Sequence, residues 1–341
     1  PNLTMHPRDR QLDSPRVECT LARVMNSSTP STYSQASLAR QRRTAWPMTE
    51  DPEMSHLARG TSAGGAFGQH RSWSFLLMLL LFCGGCSEVR DSHELLHSLL
   101  WMRTSAEYHV LSVMTYQRAR DALDRALIDT RSTASIEQTG DFQHLPPAVI
   151  LDLDETVLDN SPFEARLIAQ RTTFNQPMWE QWVQEASAQA VPGVLEFIAE
   201  ARKKGVALFF VSNRGAHQES STRRNLEKLG IHLPIDPDAL LLEGEPPFRW
   251  PPNKSSRRRY LAERYRILLL IGDDLGDFVD GARDKPENRI ALARQHDHRW
   301  GRSWFLLPNP MYGTWETSLT PPGLSDTDRL TFKRELIRNV P

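Results

Sequence analysis

The sequence is poor in cysteine, carries almost no net charge and contains no apolar run long enough to cross a membrane. Its three cysteines are Cys19, Cys83 and Cys86. None follows Cys86, which excludes a disulfide or a cysteine-bound zinc from everything downstream. Basic and acidic residues number 41 and 42, for a net charge of −1. That balance supplies no global field to draw in a nucleic-acid polymer or a membrane surface, so any electrostatic preference is local. The longest apolar stretch, FLLMLLLF at positions 75–82, falls far short of the ~20 residues a spanning helix needs. The remaining composition, 39% hydrophobic and 24% charged over 341 residues, suits a globular protein with a sizeable core.

The short run has the features of an export signal. His70 and Arg71 precede it, and the small residues Gly84 and Gly85 follow. A basic flank, a short apolar core and small residues at a cleavage point describe a secretory signal. Cys83-Gly84-Gly85-Cys86 is similar to a bacterial lipobox, in which a cysteine is acylated after cleavage; Cys83 stands where an aliphatic residue is usual. Acyl chains on Cys86 would hold the protein at a membrane through buried methylenes. Ser87 behind it points to the outer membrane of a Gram-negative cell. Residues 1–70 are rich in Ser, Thr, Pro and Arg, without sustained apolar periodicity. They read as a disordered or mis-assigned extension, with initiation near Met48 or Met54. The expected organisation is this extension, a signal over 71–86, N-terminal helices over 87–145 that join a cap, a catalytic core over 146–316 with a cap insert at about 162–190, and a tail over 317–341.

Downstream of the signal the apolar pattern alternates in type. Leu95, Leu99, Met102, Leu111, Met114, Ala119, Leu123 and Leu127 fall near helical spacing, which predicts helical structure over 92–129. Short continuous apolar runs at 148–151, 206–211, 239–242, 267–271 and 304–307 predict strands, with helices over 194–203, 219–229 and 254–265 between them. Buried runs separated by helices indicate an α/β fold, a Rossmann-like parallel sheet covered on both faces. Ligands of such sheets bind beyond the carboxyl ends of the strands.

Four chemically complementary motifs sit at those ends. Asp152-Leu153-Asp154-Glu155-Thr156 follows the first strand. Residues two apart on an extended chain point the same way, so Asp152 and Asp154 share a cleft. Two carboxylates that close repel unless a cation lies between them or one is protonated. Phosphoryl transfer uses both solutions, one carboxylate attacking phosphorus and the other passing a proton. Ser212-Asn213-Arg214 follows the second strand, where a hydroxyl and backbone N–H groups suit phosphate oxygens. Lys254 opens a helix as a candidate phosphate cation, although Arg257, Arg258 and Arg259 behind it also fit a solvated basic face. Gly272-Asp273-Asp274-Leu275-Gly276-Asp277 follows the fourth strand. There Gly272 permits a tight turn, Asp273 is a hard oxygen ligand, and Asp277 could orient Asp273 or Lys254 from behind.

In this order the motifs resemble those of the haloacid dehalogenase superfamily of phosphohydrolases. More narrowly they resemble the class C acid phosphatases, bacterial surface-lipoprotein 5′-nucleotidases. The narrow resemblance runs from about Leu99 to Glu316 and includes residues 104–108, 152–161, 179–183, 209–214 and 312–316. It implies a small helical cap on the sheet, Asp152 as nucleophile and Asp154 as acid and base. It implies Mg²⁺ held by Asp152, Asp273 and the carbonyl of Asp154, and phosphate held by Ser212, Asn213 and Lys254. Trp179 and Tyr312 match aromatic positions of a nucleoside pocket, where stacking tolerates any base; Trp182, one turn beyond Trp179, leaves core packing as the other reading of that position. Two departures stand out. Asp274 replaces a usual Asn and would add charge beside the metal, and Arg166 replaces an aromatic.

The substrate this implies is a small phosphate monoester, a nucleoside monophosphate or nicotinamide mononucleotide, hydrolysed at the cell surface. The competing expectations are a surface lipoprotein that binds without turnover and a different phosphotransferase of the same superfamily.

Overall fold

Strands β1 (Pro147–Leu151), β4 (Ala207–Gly215), β5 (Leu240–Glu243), β6 (Arg266–Gly272) and β7 (Trp304–Leu306) form one parallel sheet in the order β5-β4-β1-β6-β7. The computed structural model describes residues 93–338, which fall in the unit Cys86–Pro341. The extension, the signal and Cys86 lie outside the described residues. A second, antiparallel pair joins β2 (Leu158–Asp159) to β3 (Gln189–Ala190). The fold is α/β with helices around a five-stranded parallel sheet, as the apolar runs predict.

Alternation along β1 explains why each strand reads as an unbroken apolar run. Val149 and Leu151 enter one core cluster with Leu208 and Phe210, while Ala148 and Ile150 enter another with Phe209 and Val211. Both faces are covered, so no position can be polar without a partner. The first face is closed by α2 (Ala106–Ile128) and α5 (Val194–Lys203) through Tyr116, Ala119, Leu123, Phe197 and Ile198. The second is closed in part by α7 (Ser255–Ala262) through Leu261, with Phe278 and Trp304.

The helical structure expected over 92–129 is divided into two helices. α1 (Leu96–Thr104) ends at Ser105, whose extended backbone and hydroxyl, accepting from Tyr108 N at 3.0 Å, start α2 afresh. The break shifts the buried face. Leu111 and Met114 are 44% and 48% exposed, and the inward stripe is Tyr108, Ser112, Tyr116, Ala119 and Leu123. Apolar periodicity misses it because two tyrosines and a serine carry it. The Tyr116 hydroxyl donates to Thr156 O at 2.5 Å and Ser112 to Tyr108 O at 2.9 Å, so these two hydroxyls are satisfied inside, whereas the Tyr108 hydroxyl has no hydrogen-bond partner among the described residues. α1 packs with α3 (Ser161–Ala169) of the insert, whereas α2 belongs to the core layer.

The insert carries α3 and α4 (Gln176–Glu185), followed by α6 (Glu219–Lys228) beyond β4. Two further helices, α8 (Pro286–Gln295) and α10 (Asp326–Arg338), were not indicated by apolar spacing, and neither buries a residue. Among the described residues no helix is long and apolar enough to cross a membrane.

The reassigned face is testable by denaturant unfolding. Leu123→Ala should cost about 2–5 kcal/mol, the usual range for a buried leucine, and Leu111→Ala should stay within about 0.5 kcal/mol.

Candidate active site

The first motif extends β1. Asp152 N donates to Ile271 O at 2.9 Å, continuing the ladder past the last strand residue. Leu153 is buried in the core cluster, so Asp152 and Asp154 leave the sheet on the other side. The chain then turns sharply. Val157 N and Leu158 N both donate to Leu153 O, at 2.7 and 2.8 Å, and Glu155 takes a left-handed φ of 58°. The buried Glu155 carboxylate accepts from Asn160 N at 2.7 Å and locks the turn. Burial pushes the Glu155 carboxyl well above its ordinary value, and Asp154 adds to the shift.

Asp154 is clamped from two sides. Arg214 donates to it through Nη2 at 2.7 Å and Nε at 3.1 Å, and Asn160 Nδ2 donates at 2.8 Å. Asn160 in turn accepts from Trp182 Nε1 at 2.8 Å. Arg214 and Asn160 lie within motifs quoted from the sequence, but sequence reasoning gave neither a role. β4 runs through Ser212-Asn213-Arg214 to Gly215, with a register irregularity there, where a loop was expected. That irregularity aims Arg214 at Asp154. Ser212 is fully buried, its hydroxyl accepting from Arg214 N at 3.1 Å, while Asn213 lines the cleft.

Lys254 reaches the first motif. Its ammonium donates to Asp152 Oδ1, and to Asp277 Oδ1 at 2.6 Å. Burial opposes the Lys254 charge, but the two carboxylates outweigh it and raise its pKa above the usual lysine value. Asp152 is pushed up to about 7, chiefly by burial; Lys254 pulls it down, and Asp277 and Asp154 add to the rise. The residues after Lys254 are not a solvated face, because Arg257 and Arg258 are fully buried. Arg257 donates to Ser212 O at 2.5 Å and Asn213 Oδ1 at 2.7 Å. Arg258 pairs with Glu137 at 2.7 Å and donates to Gly276 O and Asp277 O at 3.1 and 3.0 Å. These two arginines tie α7 to the end of β4 and to the loop beyond β6.

The fourth motif departs from expectation at Gly272. Gly272 does not serve a turn that needs left-handed backbone; a Cβ there would lie 2.2 Å from Asp277 Oδ2. It is glycine because the Asp277 side chain crosses over it. Asp274 stands outside the clustered carboxylates, and its charge adds to the rise at Asp273. Its carboxylate accepts from Gly276 N at 2.8 Å and from Thr314 N and Oγ1 at 2.6 and 2.7 Å, fixing the start of α9 (Thr314–Thr317). Asp273 instead faces Asp152. It accepts from Asn309 Nδ2 at 2.8 Å, and burial drives its carboxyl well above the ordinary value, with Asp152 and Asp277 adding.

One oxygen from each of Asp152, Asp273 and Asp277 lies within 4.8 Å of the other two. Two buried carboxylates on one ammonium, with the half-buried Asp273 beside them, leave more acidic groups than cations in the cluster. Hard oxygen donors with unmet charge suit a divalent cation such as Mg²⁺.

Asp152 and Asp154 open into a broad cleft. Trp179 and Tyr312 both line it. Trp179 stacks edgewise on Phe163 at 5.2 Å, with the Arg214 guanidinium 5.3 Å from its ring, whereas its neighbour Trp182 is the buried core residue. The departure at Arg166 serves the insert: a bidentate pair with Glu185 at 2.6 and 2.7 Å and a contact over the Trp182 ring at 4.9 Å join α3 to α4. The tail forms part of the cleft wall. Asp326 accepts from Thr173 at 2.7 Å, and Lys333 bridges Glu316 and Glu94 at 2.6 and 3.2 Å.

Comparison with known proteins agrees with this geometry. Residues 96–315 match the family model of HAD superfamily subfamily IIIB (acid phosphatase). The class C acid phosphatase of Bacillus anthracis superposes with a TM-score of 0.62 at 30% identity, covering 72% of this chain and 96% of that one. Its tungstate-bound form gives a TM-score of 0.61 at 28% identity, with the same coverage. The stem 31 kDa glycoprotein of Glycine max is 30% identical over 168 residues, 48% of this chain and 58% of that protein. Acid phosphatase 1 of Solanum lycopersicum is 29% identical over 166 residues, 48% of this chain and 57% of that protein. The matches therefore span little more than half the length of these curated relatives.

The close approach at Gly272 yields a direct test. Gly272→Ala should push Asp277 off Lys254 and lower divalent-cation affinity by about tenfold or more, as loss of an orienting partner does at metal sites. Calorimetric titration of the variant checks this, and unchanged affinity would contradict the crossing.

Proposed function

Because the chain belongs to subfamily IIIB of the HAD superfamily, the acid phosphatases, we propose that it hydrolyses phosphate monoesters through a phosphorylated Asp152. The observation that carries this reading is the meeting of Asp152, Lys254, Asp273 and Asp277, four residues from two strand ends and one helix start. The tungstate complex of the Bacillus anthracis enzyme is consistent with it, since tungstate is a tetrahedral oxyanion like phosphate.

In the reaction, an Asp152 carboxylate oxygen attacks phosphorus and the bond to the ester oxygen breaks. Asp154, held in place by Arg214 and Asn160, gives its proton to the departing oxygen. Water then attacks the aspartyl phosphate and returns a proton to Asp154, and the Asp152–phosphorus linkage breaks to release phosphate. Lys254, Ser212 and Asn213 bind the phosphate oxygens. Mg²⁺ would be held by Asp152, Asp273 and the Asp154 carbonyl, and when bound it offsets charge between carboxylate and phosphate. Asp277 holds Lys254. The leaving group lies between Trp179 and Tyr312, and aromatic walls of this kind favour a nucleoside monophosphate. The protein is exported and anchored by lipid on Cys86, which the apolar run at 75–82 and the small residues before Cys86 support.

Residues 87–341 should release phosphate from adenosine monophosphate, nicotinamide mononucleotide and an aryl phosphate with Mg²⁺ but not with chelator. Asp152→Asn should abolish release. Turnover of the aryl ester alone would remove the nucleotidase claim; no turnover of any ester would favour a binding lipoprotein.

Cation binding should also be pH-dependent. With its pKa near 7 in the free site, the Asp152 carboxyl is protonated below that value and must lose its proton to take a cation. Affinity should therefore rise from pH 5.5 to 8, with proton release at pH 6 seen as buffer-dependent heat. A flat profile would show that Asp152 is not a ligand. For the anchor, Cys86→Ala should abolish fatty-acid labelling and move the protein to the soluble fraction.

A further inference from the structure

Glu164 is a carboxyl that the reading above does not use. It lies on α3, four residues beyond Asn160, the residue that clamps Asp154. It is 6% exposed, and what remains open faces the cleft that also holds Asp152 and Asp154. Its neighbours on the helix place it between the two aromatic walls. Phe163 stacks on Trp179 at 5.2 Å, while Ala165 and Ile168 pack in the cluster that includes Tyr312.

Among the described residues no donor hydrogen-bonds to this carboxyl. The nearest charge felt by Glu164 is another acid, Glu316, whose own charge is met by Lys333 at 2.6 Å. Burial, with Glu316 adding, pushes the Glu164 carboxyl up to about 7. A buried carboxyl without a partner destabilises a fold. Three other buried acids, Asp152, Glu155 and Asp277, each have a donor. An unmet acceptor in an aromatic cleft has the arrangement of a site that awaits a donor from its ligand.

We infer that Glu164 is a specificity-determining residue that accepts a hydrogen bond from an N–H or O–H group on the leaving group of the substrate. This rests on the phosphatase reading and selects among its substrates. Within a nucleoside monophosphate the donor is either an amino group of the base or a ribose hydroxyl; both present the same chemistry to a carboxylate.

The test measures kcat and KM for adenosine 5′-monophosphate, purine riboside 5′-monophosphate, which lacks the base amino group, and 2′,3′-dideoxyadenosine 5′-monophosphate, which lacks the hydroxyls. 4-Nitrophenyl phosphate, which has no donor, is the reference. In the native protein at pH 8, where Glu164 is ionised, one of the two analogues should lose about 10–100-fold in kcat/KM relative to adenosine monophosphate, the effect of one hydrogen bond to a charged acceptor. The loss should lie in KM, and which analogue suffers identifies the donor. In Glu164→Ala that preference should vanish, while Glu164→Gln, which keeps a carbonyl acceptor, should retain part of it. Glu164→Ala should also melt at a higher temperature, because an unpaired buried carboxyl is removed. Equal losses for all four substrates in Glu164→Ala, or a preference that survives it, would overturn the assignment. Native protein inactive on every ester, including 4-nitrophenyl phosphate, would overturn the phosphatase reading instead.

Discussion

The Lys254 ammonium between Asp152 and Asp277 is the interaction around which the rest of the site is arranged. Carboxylates gathered at the buried end of a parallel sheet repel strongly in a medium of low polarizability. A cation among them makes the gathering possible, and it must come from a segment held rigidly at the right height. Arg257 and Arg258 supply that rigidity, Arg257 by donating to Ser212 O and Asn213 Oδ1 at the end of β4 and Arg258 to the Gly276 and Asp277 carbonyls beyond β6. Removing one partner of such a buried set leaves an uncompensated charge, which is why these contacts act as a unit.

A second network ties the acid to the insert. Trp182 donates to Asn160, Asn160 donates to Asp154, and Arg214 closes the ring from β4. Arg166 then braces α3 against α4. The insert is thereby linked to Asp154, and Trp179 of the cleft wall stands on the same insert.

Strands were legible because a sheet buried on both faces demands unbroken apolar runs, and each of the five runs is a strand. Helices were legible only where the buried stripe is apolar. The stripe of α2 passes through Tyr108, Ser112 and Tyr116, and α8 and α10 bury nothing. The acidic motifs and Lys254 stood out by residue type and position. Asn160, Arg214 and Glu164 did not, because what distinguishes each is a partner, or the lack of one, that folding places beside it. Gly272 was misread for a related reason: a glycine needed for a crossing side chain looks like a turn glycine in sequence. Nor does the sequence show that the Asp274 carboxylate fixes a helix start 40 residues away.

By itself the sequence determined the sheet, the placing of four reactive segments at strand ends and the kind of chemistry they suit. Those follow from local composition: apolar runs, period and charge. Tertiary structure decided which carboxylates face one another, which cation answers them, and which acid, Glu164, is left unanswered in the cleft. These are properties of distance between segments far apart in the chain, and the electrostatic energy of a buried charge depends on that distance and on the surrounding medium, neither of which a linear order of residues contains.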